Sequence, residues 1–499
     1  MLGALGTGIG VTLFAQLMLP TAFLHVYGVE RYGEWLVLSA AMSYLLTMNF
    51  GITTYAANEL TILHQRGEDE QYRVMQASTL AMIIGLLTLG TLVCSFFLLL
   101  PLREMLHLKT LSASDSRWTA FWLGMQMVVN ITFGYYSNLF MVVGKAHRGV
   151  NWYNARRMAP ALCGVLLIFL HASFSGIALG QLLAMLVVCL LSIVDLKFCM
   201  PNLPLGIGGA SWSSVRQSLL PSGMFGVANL QNLLLFQGPV IVLQWVLGPA
   251  SVVIFAIGRT ILSIARQLLT TLTDALKPEI TMLWAAHEQK RLLRLFHDSE
   301  KVMYFAIPTV NMGTYLFSPL ILRFWVHRDG LFDVFLYGML AMISCAISMR
   351  EHKQFFHYAT NTHHRYAVIV FVGNLAMVLA SIPATIWLGV NGLLFVWLIS
   401  EVVQMLMIYQ ENRRLFQYDA SIRLRPALLL LVAMGGSFAI CYVLLRLTLV
   451  GPLWRLALSG CVGTVTVAGG SYCLFDVCEI REQLLLRLRQ QVGRRAIAD

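Results

Sequence analysis

Charge is what this sequence has least of. Asp, Glu, Lys and Arg make up 12% of its 499 residues, against 58% hydrophobic residues and a mean hydropathy of +0.71. Water-soluble domains run at about 25% charged, so this chain lacks the polar surface for a soluble shell. No polar stretch is long enough for a sizeable soluble domain either. The nine Cys are scattered, mostly inside apolar runs and never as CxxC, which excludes a disulfide framework or a thiolate metal site and leaves them as small core residues. No Gly-rich nucleotide loop occurs, which argues against direct ATP hydrolysis. No Lys or Arg precedes Arg31. The first apolar stretch is therefore expected to be a retained span, not a removed leader.

What is present is one apolar run after another, each near the roughly 20 residues that cross a bilayer. Fourteen spans are expected, near 3–26, 35–58, 75–101, 118–144, 158–172, 177–197, 221–246, 249–275, 302–325, 333–352, 367–388, 391–410, 426–449 and 453–476. Several boundaries carry a breaker: His171–Gly176, Leu247–Ala250 and Gly389–Gly392 each split a double-length run. Six of the eleven Trp (Trp35, Trp118, Trp152, Trp284, Trp325 and Trp454) fall near span ends, where an interfacial belt would lie.

The 35 Lys and Arg alternate from side to side. Twenty-five lie in loops after even-numbered spans or in the tail, including Arg156 and Arg157. Eight lie on the other side, and Arg259 and Arg266 fall inside the eighth span. By the positive-inside rule both termini are expected to face the cytoplasm. The +11 net charge is spread through short loops, so it does not point to nucleic acid. Two stretches, 286–300 and a tail with Ile480, Leu484, Leu488 and Val492, look amphipathic and are expected to lie on anionic lipid. The histidines His352, His357, His363 and His364 have no zinc-like spacing and are expected in a solvated loop.

A faint repeat appears at an offset of 220: Gly28 with Gly248, Ser43 with Ser263, and Asn58–Leu60 with Pro278–Ile280. Six spans per copy makes the repeat parallel. The organisation expected is a six-helix lobe over 1–200, a linker at 201–218, a second six-helix lobe over 219–412, a helix pair at 426–476 and a basic tail at 477–499.

The residues Tyr27-Gly-Val-Glu-Arg-Tyr-Gly-Glu-Trp-Leu36, Tyr44-Leu-Leu-Thr-Met-Asn-Phe-Gly-Ile52 and Asn58-Glu59 resemble the opening of the polysaccharide (Wzx-type) flippases of the multidrug/oligosaccharidyl-lipid/polysaccharide (MOP) transporter superfamily. The resemblance implies two lobes around a central cavity that opens alternately to each side. It implies a polyprenyl-diphosphate-linked oligosaccharide as substrate, moved for O-antigen, capsule or exopolysaccharide synthesis, with other polysaccharide-assembly membrane proteins as partners. It implies a secondary transporter, not an enzyme, with no cofactor and with a proton or sodium gradient as the candidate drive. Two features depart from it: Asn49 stands where members often carry an acid, and the first span has no basic Lys or Arg where members often do, its polar groups including Thr12, Gln16 and His25.

A charge inside a bilayer is costly, so intramembrane cations are functional candidates. Arg259, Ser263, Arg266, Thr270, Thr273 and Lys277 all fall within about 40° of Arg259 on a helical wheel. The stripe suits an anionic headgroup, because Arg grips phosphate bidentately. The alternative is that Arg259 and Arg266 pair with acids such as Asp195 or Glu401. Gln126, Asn130 and Ser137 in the fourth span, and Ser222, Asn229 and Asn232 in the seventh, are candidate sugar contacts or interhelical glue. A MATE-like drug/cation antiporter would need cavity carboxylates instead. A membrane glycan polymerase or ligase would need a larger outer loop than 102–117.

Overall fold

The computed structural model describes residues 2–49, 51–142, 145–200, 206–274, 276–326, 331–360, 362, 364–417 and 425–474. Among them there is helix and no strand: α1 (Leu2–Val26), α2 (Gly28–Ser43), α3 (Ile52–Arg66), α4 (Asp69–Phe97), α5 (Leu102–Met105), α6 (Ala113–Val142), α7 (Ala146–Phe169), α8 (Phe174–Cys199) and α9 (Trp212–Leu247). Then follow α10 (Pro249–Asp274), α11 (Lys277–Ala285), α12 (Gln289–Trp325), α13 (Val334–Ala359), α14 (His364–Leu388), α15 (Val390–Leu415), α16 (Arg425–Thr448) and α17 (Leu453–Leu474). By length and composition, ten helices of the described residues can cross a membrane: α4, α8, the second half of α9, α10 and α12 to α17. The remaining four expected spans fall on α1, on the interrupted pair α2–α3, on α6 and on α7. The amphipathic tail lies outside the described residues.

The helices sort into two compact units. The first takes the described residues up to Ala256 with Val378–Gly389, and the second takes Ile257–Met377 with the described residues from Val390 onward. In the first, α1 packs on α7, and α6 packs on α8, α4 and α3. An aromatic cluster closes one end, with the Phe23 ring 4.8 Å from that of Trp35 and 5.7 Å from that of Phe174. Trp35, expected at the lipid interface, is buried there because its partners come from α1 and α8. In the second unit, α17 of the added pair packs along α12. Small residues permit the approach: Gly460 lies under Phe317, Gly463 under Leu316 and Gly313 under Thr464.

The expected second span is not one helix. A 3-10 stretch, Tyr44–Asn49, follows α2, and Gly51 takes a left-handed φ of 72° before α3 begins. Glycine adopts that backbone at little steric cost. Asn49 supports the restart: its Oδ1 accepts from the Thr53 amide at 3.3 Å and its Nδ2 donates to Thr53 Oγ1 at 3.0 Å. Gly28 and Gly248, 220 apart, have similar left-handed φ values of 82° and 88°. Ser43 and Ser263 each donate to the carbonyl three residues back.

Several helices outrun their apolar cores. The 286–300 stretch, expected on lipid, largely forms the start of the 37-residue α12, where Leu292 and Phe296 are buried against protein. Phe296 packs on Phe356 and Phe416. Similarly, α13 continues past the expected limit at residue 352 to Ala359. It carries His352 and His357 into the interior at 1% and 3% exposure, contrary to the solvated loop expected for them. His352 Nε2 lies 3.1 Å from Ser299 Oγ, and His357 Nδ1 lies 3.1 Å from Thr362 Oγ1, so each imidazole has a polar partner. His363 and the His364 side chain lie outside the described residues.

Candidate functional site

The polar stripe of the eighth span falls on α10, but not all of it. Arg259, Ser263, Arg266 and Thr270 are half-buried and Thr273 is buried. Lys277 opens α11 instead of continuing α10, and its side chain is outside the described residues. The hydroxyls turn back on their own helix: Ser263 donates to the Thr260 carbonyl at 2.8 Å, Thr270 to Gln267 at 3.0 Å and Thr273 to Leu269 at 3.4 Å. This satisfies each O–H without a neighbour and leaves oxygen lone pairs as the groups a ligand could use. Arg259 lies ten residues from Pro249, or about 15 Å along the axis, and Arg266 about 10 Å further.

The ion-pair alternative is met in part, with a different acid. Arg266 Nη1 lies 2.7 Å from Glu351 Oε1 on α13. Glu401 on α15 instead takes Arg350 Nε at 2.7 Å, and Arg350 Nη1 also donates to Tyr366 Oη at 3.1 Å. Asp195 on α8 pairs with Arg148 at 3.1 Å and accepts from Trp152 Nε1 at 2.9 Å.

Beside these lies a second sealed pair, Lys353 with Glu300. Tyr304 Oη donates to the same Glu300 oxygen at 3.0 Å, and Lys353 Nζ sits 4.5 Å from the Tyr409 ring centroid. Lys353, Glu300, Arg350 and Glu401 are all buried. Ion pairs therefore stitch α12 to α13 and α13 to α15.

In the first unit, Arg156 and Arg157, expected in a loop, lie in the middle of α7. Arg157 is eleven residues from Ala146 and twelve from Phe169, roughly 16–18 Å from either end. Its Nη1 donates to Thr12 Oγ1 on α1 at 2.6 Å, so the first span's polar group does meet a cation, delivered by another helix. The Tyr153 ring carries both guanidinium groups, with Arg156 Cζ at 4.4 Å and Arg157 Cζ at 4.9 Å from its centroid. Arg156 Cζ also lies 5.2 Å from the Phe133 ring centroid. Among the described residues no acid pairs with Arg156 or Arg157. The sequence signal for them was present but ambiguous: Arg-Arg next to an apolar run reads first as a loop flank.

Of the candidate sugar contacts, Gln126 and Ser137 on α6 are buried. Asn130 Oδ1 is buried and accepts no hydrogen bond among the described residues. Asn232 on α9 is exposed, and the side chains of Ser222 and Asn229 lie outside the described residues.

No family model matches the chain, and no curated protein does. Solved structures do. An inward-facing MATE-family multidrug resistance transporter of the MOP superfamily aligns at TM-score 0.66 and 11% identity, over 81% of this chain and 94% of that one. The lipid II flippase MurJ in an inward closed conformation aligns at TM-score 0.66 and 12% identity, over 95% of this chain and 98% of that one. The fold is that of the MOP-superfamily transporters. A MOP transporter from Pyrococcus furiosus, whose binding pocket is described as reversed in polarity, aligns at 0.59 and 13% identity, over 82% of this chain and 93% of that one. The MOP fold thus accounts for the all-helical class and for a multi-pass membrane protein whose structural neighbours are transporters and flippases.

Proposed function

We propose that this protein is a flippase that carries a polyprenyl-diphosphate-linked oligosaccharide across the bacterial inner membrane, for O-antigen, capsule or exopolysaccharide assembly. One observation carries the reading: among the described residues every buried acid is engaged by protein groups, whereas no acid pairs with Arg156 or Arg157 at the middle of α7. Among the described residues the buried acids are Glu34, Glu300 and Glu401. Glu300 is held by Lys353 and Glu401 by Arg350. Glu34 accepts from the amides of Lys109, Thr110 and Leu111 and from Thr110 Oγ1. A cationic drug would find each of these already occupied. A diphosphate would find Arg156 and Arg157 at the middle of α7, and on α10 it would find Arg259 and also Arg266, which Glu351 holds through one carboxylate oxygen. Isolated burial of such a headgroup is prohibitive, so it must be handed from cation to cation. Matched MATE-family transporters adopt inward-facing and outward-facing conformations, which supports alternating access as the way the handover is made.

The second reading is a MATE-like drug antiporter, favoured by the matches to that family at the same TM-score. One experiment separates them. Deleting the gene, in a strain without a redundant flippase, is expected to abolish a surface polysaccharide and to leave lipid-linked repeat units in the cytoplasmic leaflet. The chain carrying Arg259→Ala and Arg266→Ala together should reach the membrane in normal amount and fail to restore the polysaccharide. Persistence of the polysaccharide with raised drug sensitivity would give the antiporter reading the stronger claim.

A further inference from the structure

Three ion pairs involve the residues 350–353 on α13, and they are not alike. In Arg350–Glu401 the side chains are 3% and 0% exposed, and in Lys353–Glu300 they are 0% and 5% exposed. Neither pair can open without leaving a bare charge in a dry interior, which costs several kcal/mol. Arg266–Glu351 differs, with side chains 19% and 23% exposed. Like Glu401, whose Oε1 is buried and accepts no hydrogen bond among the described residues, Glu351 grips by one oxygen. Its Oε1 takes Arg266 at 2.7 Å, while its Oε2 is buried and accepts no hydrogen bond among the described residues. The exposure alone sets Arg266–Glu351 apart, and an ion pair with water within reach is the weakest of the three attachments. Glu351 also sits on one of the two cations that the flippase reading assigns to the headgroup in this unit.

We infer that Glu351 is the resident counter-anion of Arg266, occupying the guanidinium between transport events and giving way to the substrate's diphosphate; this rests on the flippase reading. A diphosphate brings more charge and more acceptor oxygens than a carboxylate, and it can engage a guanidinium through two parallel hydrogen bonds. The exchange is close to balanced, because the Glu351 side chain is 23% exposed and keeps partial access to water when released. Closeness to balance matters for turnover. A site that binds the headgroup with no competitor holds it, whereas a tethered anion that returns to Arg266 helps expel the headgroup towards the next cation. Glu351 is thus a positioning residue that sets how tightly Arg266 holds its cargo.

The test uses purified full-length protein at low salt, titrated with inorganic pyrophosphate and followed by calorimetry, beside polysaccharide export in cells. Glu351→Gln removes the competing charge at almost constant shape. It is expected to bind pyrophosphate about two- to fivefold more tightly, the range that partly exposed ion pairs span, and to export less. Arg266→Ala should weaken binding, and the double variant should match Arg266→Ala alone. A merely structural Glu351 would instead lower protein abundance without tightening binding. If wild type binds and Glu351→Gln binds equally or less well, the counter-anion role is overturned while the flippase reading stands. A gain that persists in the double variant overturns it too, since the gain would not run through Arg266. No binding by either wild type or Glu351→Gln overturns both readings. Should Glu351→Gln fail to fold, Glu351→Asp carries the same expectation, because the shorter side chain draws the carboxylate away from Arg266; unchanged or weaker affinity there is equally fatal.

Discussion

Replacing Lys353 with Met should be among the most damaging single changes in the second unit. The Nζ is fully enclosed, held by Glu300 and facing the Tyr409 ring at 4.5 Å and the Phe296 ring at 5.3 Å. Removing it leaves the Glu300 carboxylate, itself 5% exposed, with the Tyr304 O–H at 3.0 Å. Breaking a buried pair from one side costs about 3–5 kcal/mol, because the remaining charge loses both water and partner. Against a typical stability of about 5–15 kcal/mol, that is a large share. The reverse change restores most of it: with Glu300→Leu and Tyr304→Phe added, no charge and no orphan hydroxyl remain, and apolar replacement of a buried pair is often neutral or better. The assay is thermal unfolding of detergent-solubilised protein, read by size-exclusion recovery, together with membrane abundance. Lys353→Met should lose abundance and melt several degrees lower, and the triple variant should recover towards wild type. If Lys353→Met melts like wild type, or the triple variant melts no higher than the single one, the pair is not the enclosed and mutually dependent unit described above. The contrast with Arg266 is sharp, since substitution there should spare abundance and remove transport.

Arg157→Ala should cut polysaccharide export severalfold at normal abundance, whereas Thr12→Val should act more weakly, because it removes the Arg157 support and not the charge; equal export by Arg157→Ala would remove α7 from the headgroup route. Gly33→Ala should reduce the yield of folded protein, because a Cβ there would stand 2.3 Å from the Pro249 carbonyl oxygen, and recovery of wild-type amounts would show that this approach can relax. Single cysteines in place of Ser112 and Gly451 should react with an impermeant thiol reagent added to intact cells, while one at Gly67 should not; labelling at Gly67 would invert the topology.

Hydropathy located α8, α10, α14, α15, α16 and α17 to within a few residues, because a lipid-facing helix announces itself in its own composition. Trp387 at 82% and Val465 at 71% exposure show how apolar those outer faces are. The same logic failed where a helix meets other protein. Arg156 and Arg157 read as loop because an average over neighbours cannot tell a guanidinium facing Thr12 and Tyr153 from one facing lipid. His352 and Lys353 read as a solvated end for the same reason, since the partners Ser299 and Glu300 stand 53 residues away in the chain.

The sequence by itself determined that this is an all-helical membrane chain, with cations at bilayer depth on the eighth span. Both follow from local quantities, the apolar length of a run and the 3.6-residue period. Only the tertiary structure decided which acid each of the cations Arg266, Arg350 and Lys353 takes. Glu401 belongs to Arg350, Glu300 to Lys353 and Glu351 to Arg266, with the last pair alone left partly open. That allocation depends on which helices pack side by side, and in a low-dielectric interior a charge is defined by its partner rather than by its place in the chain.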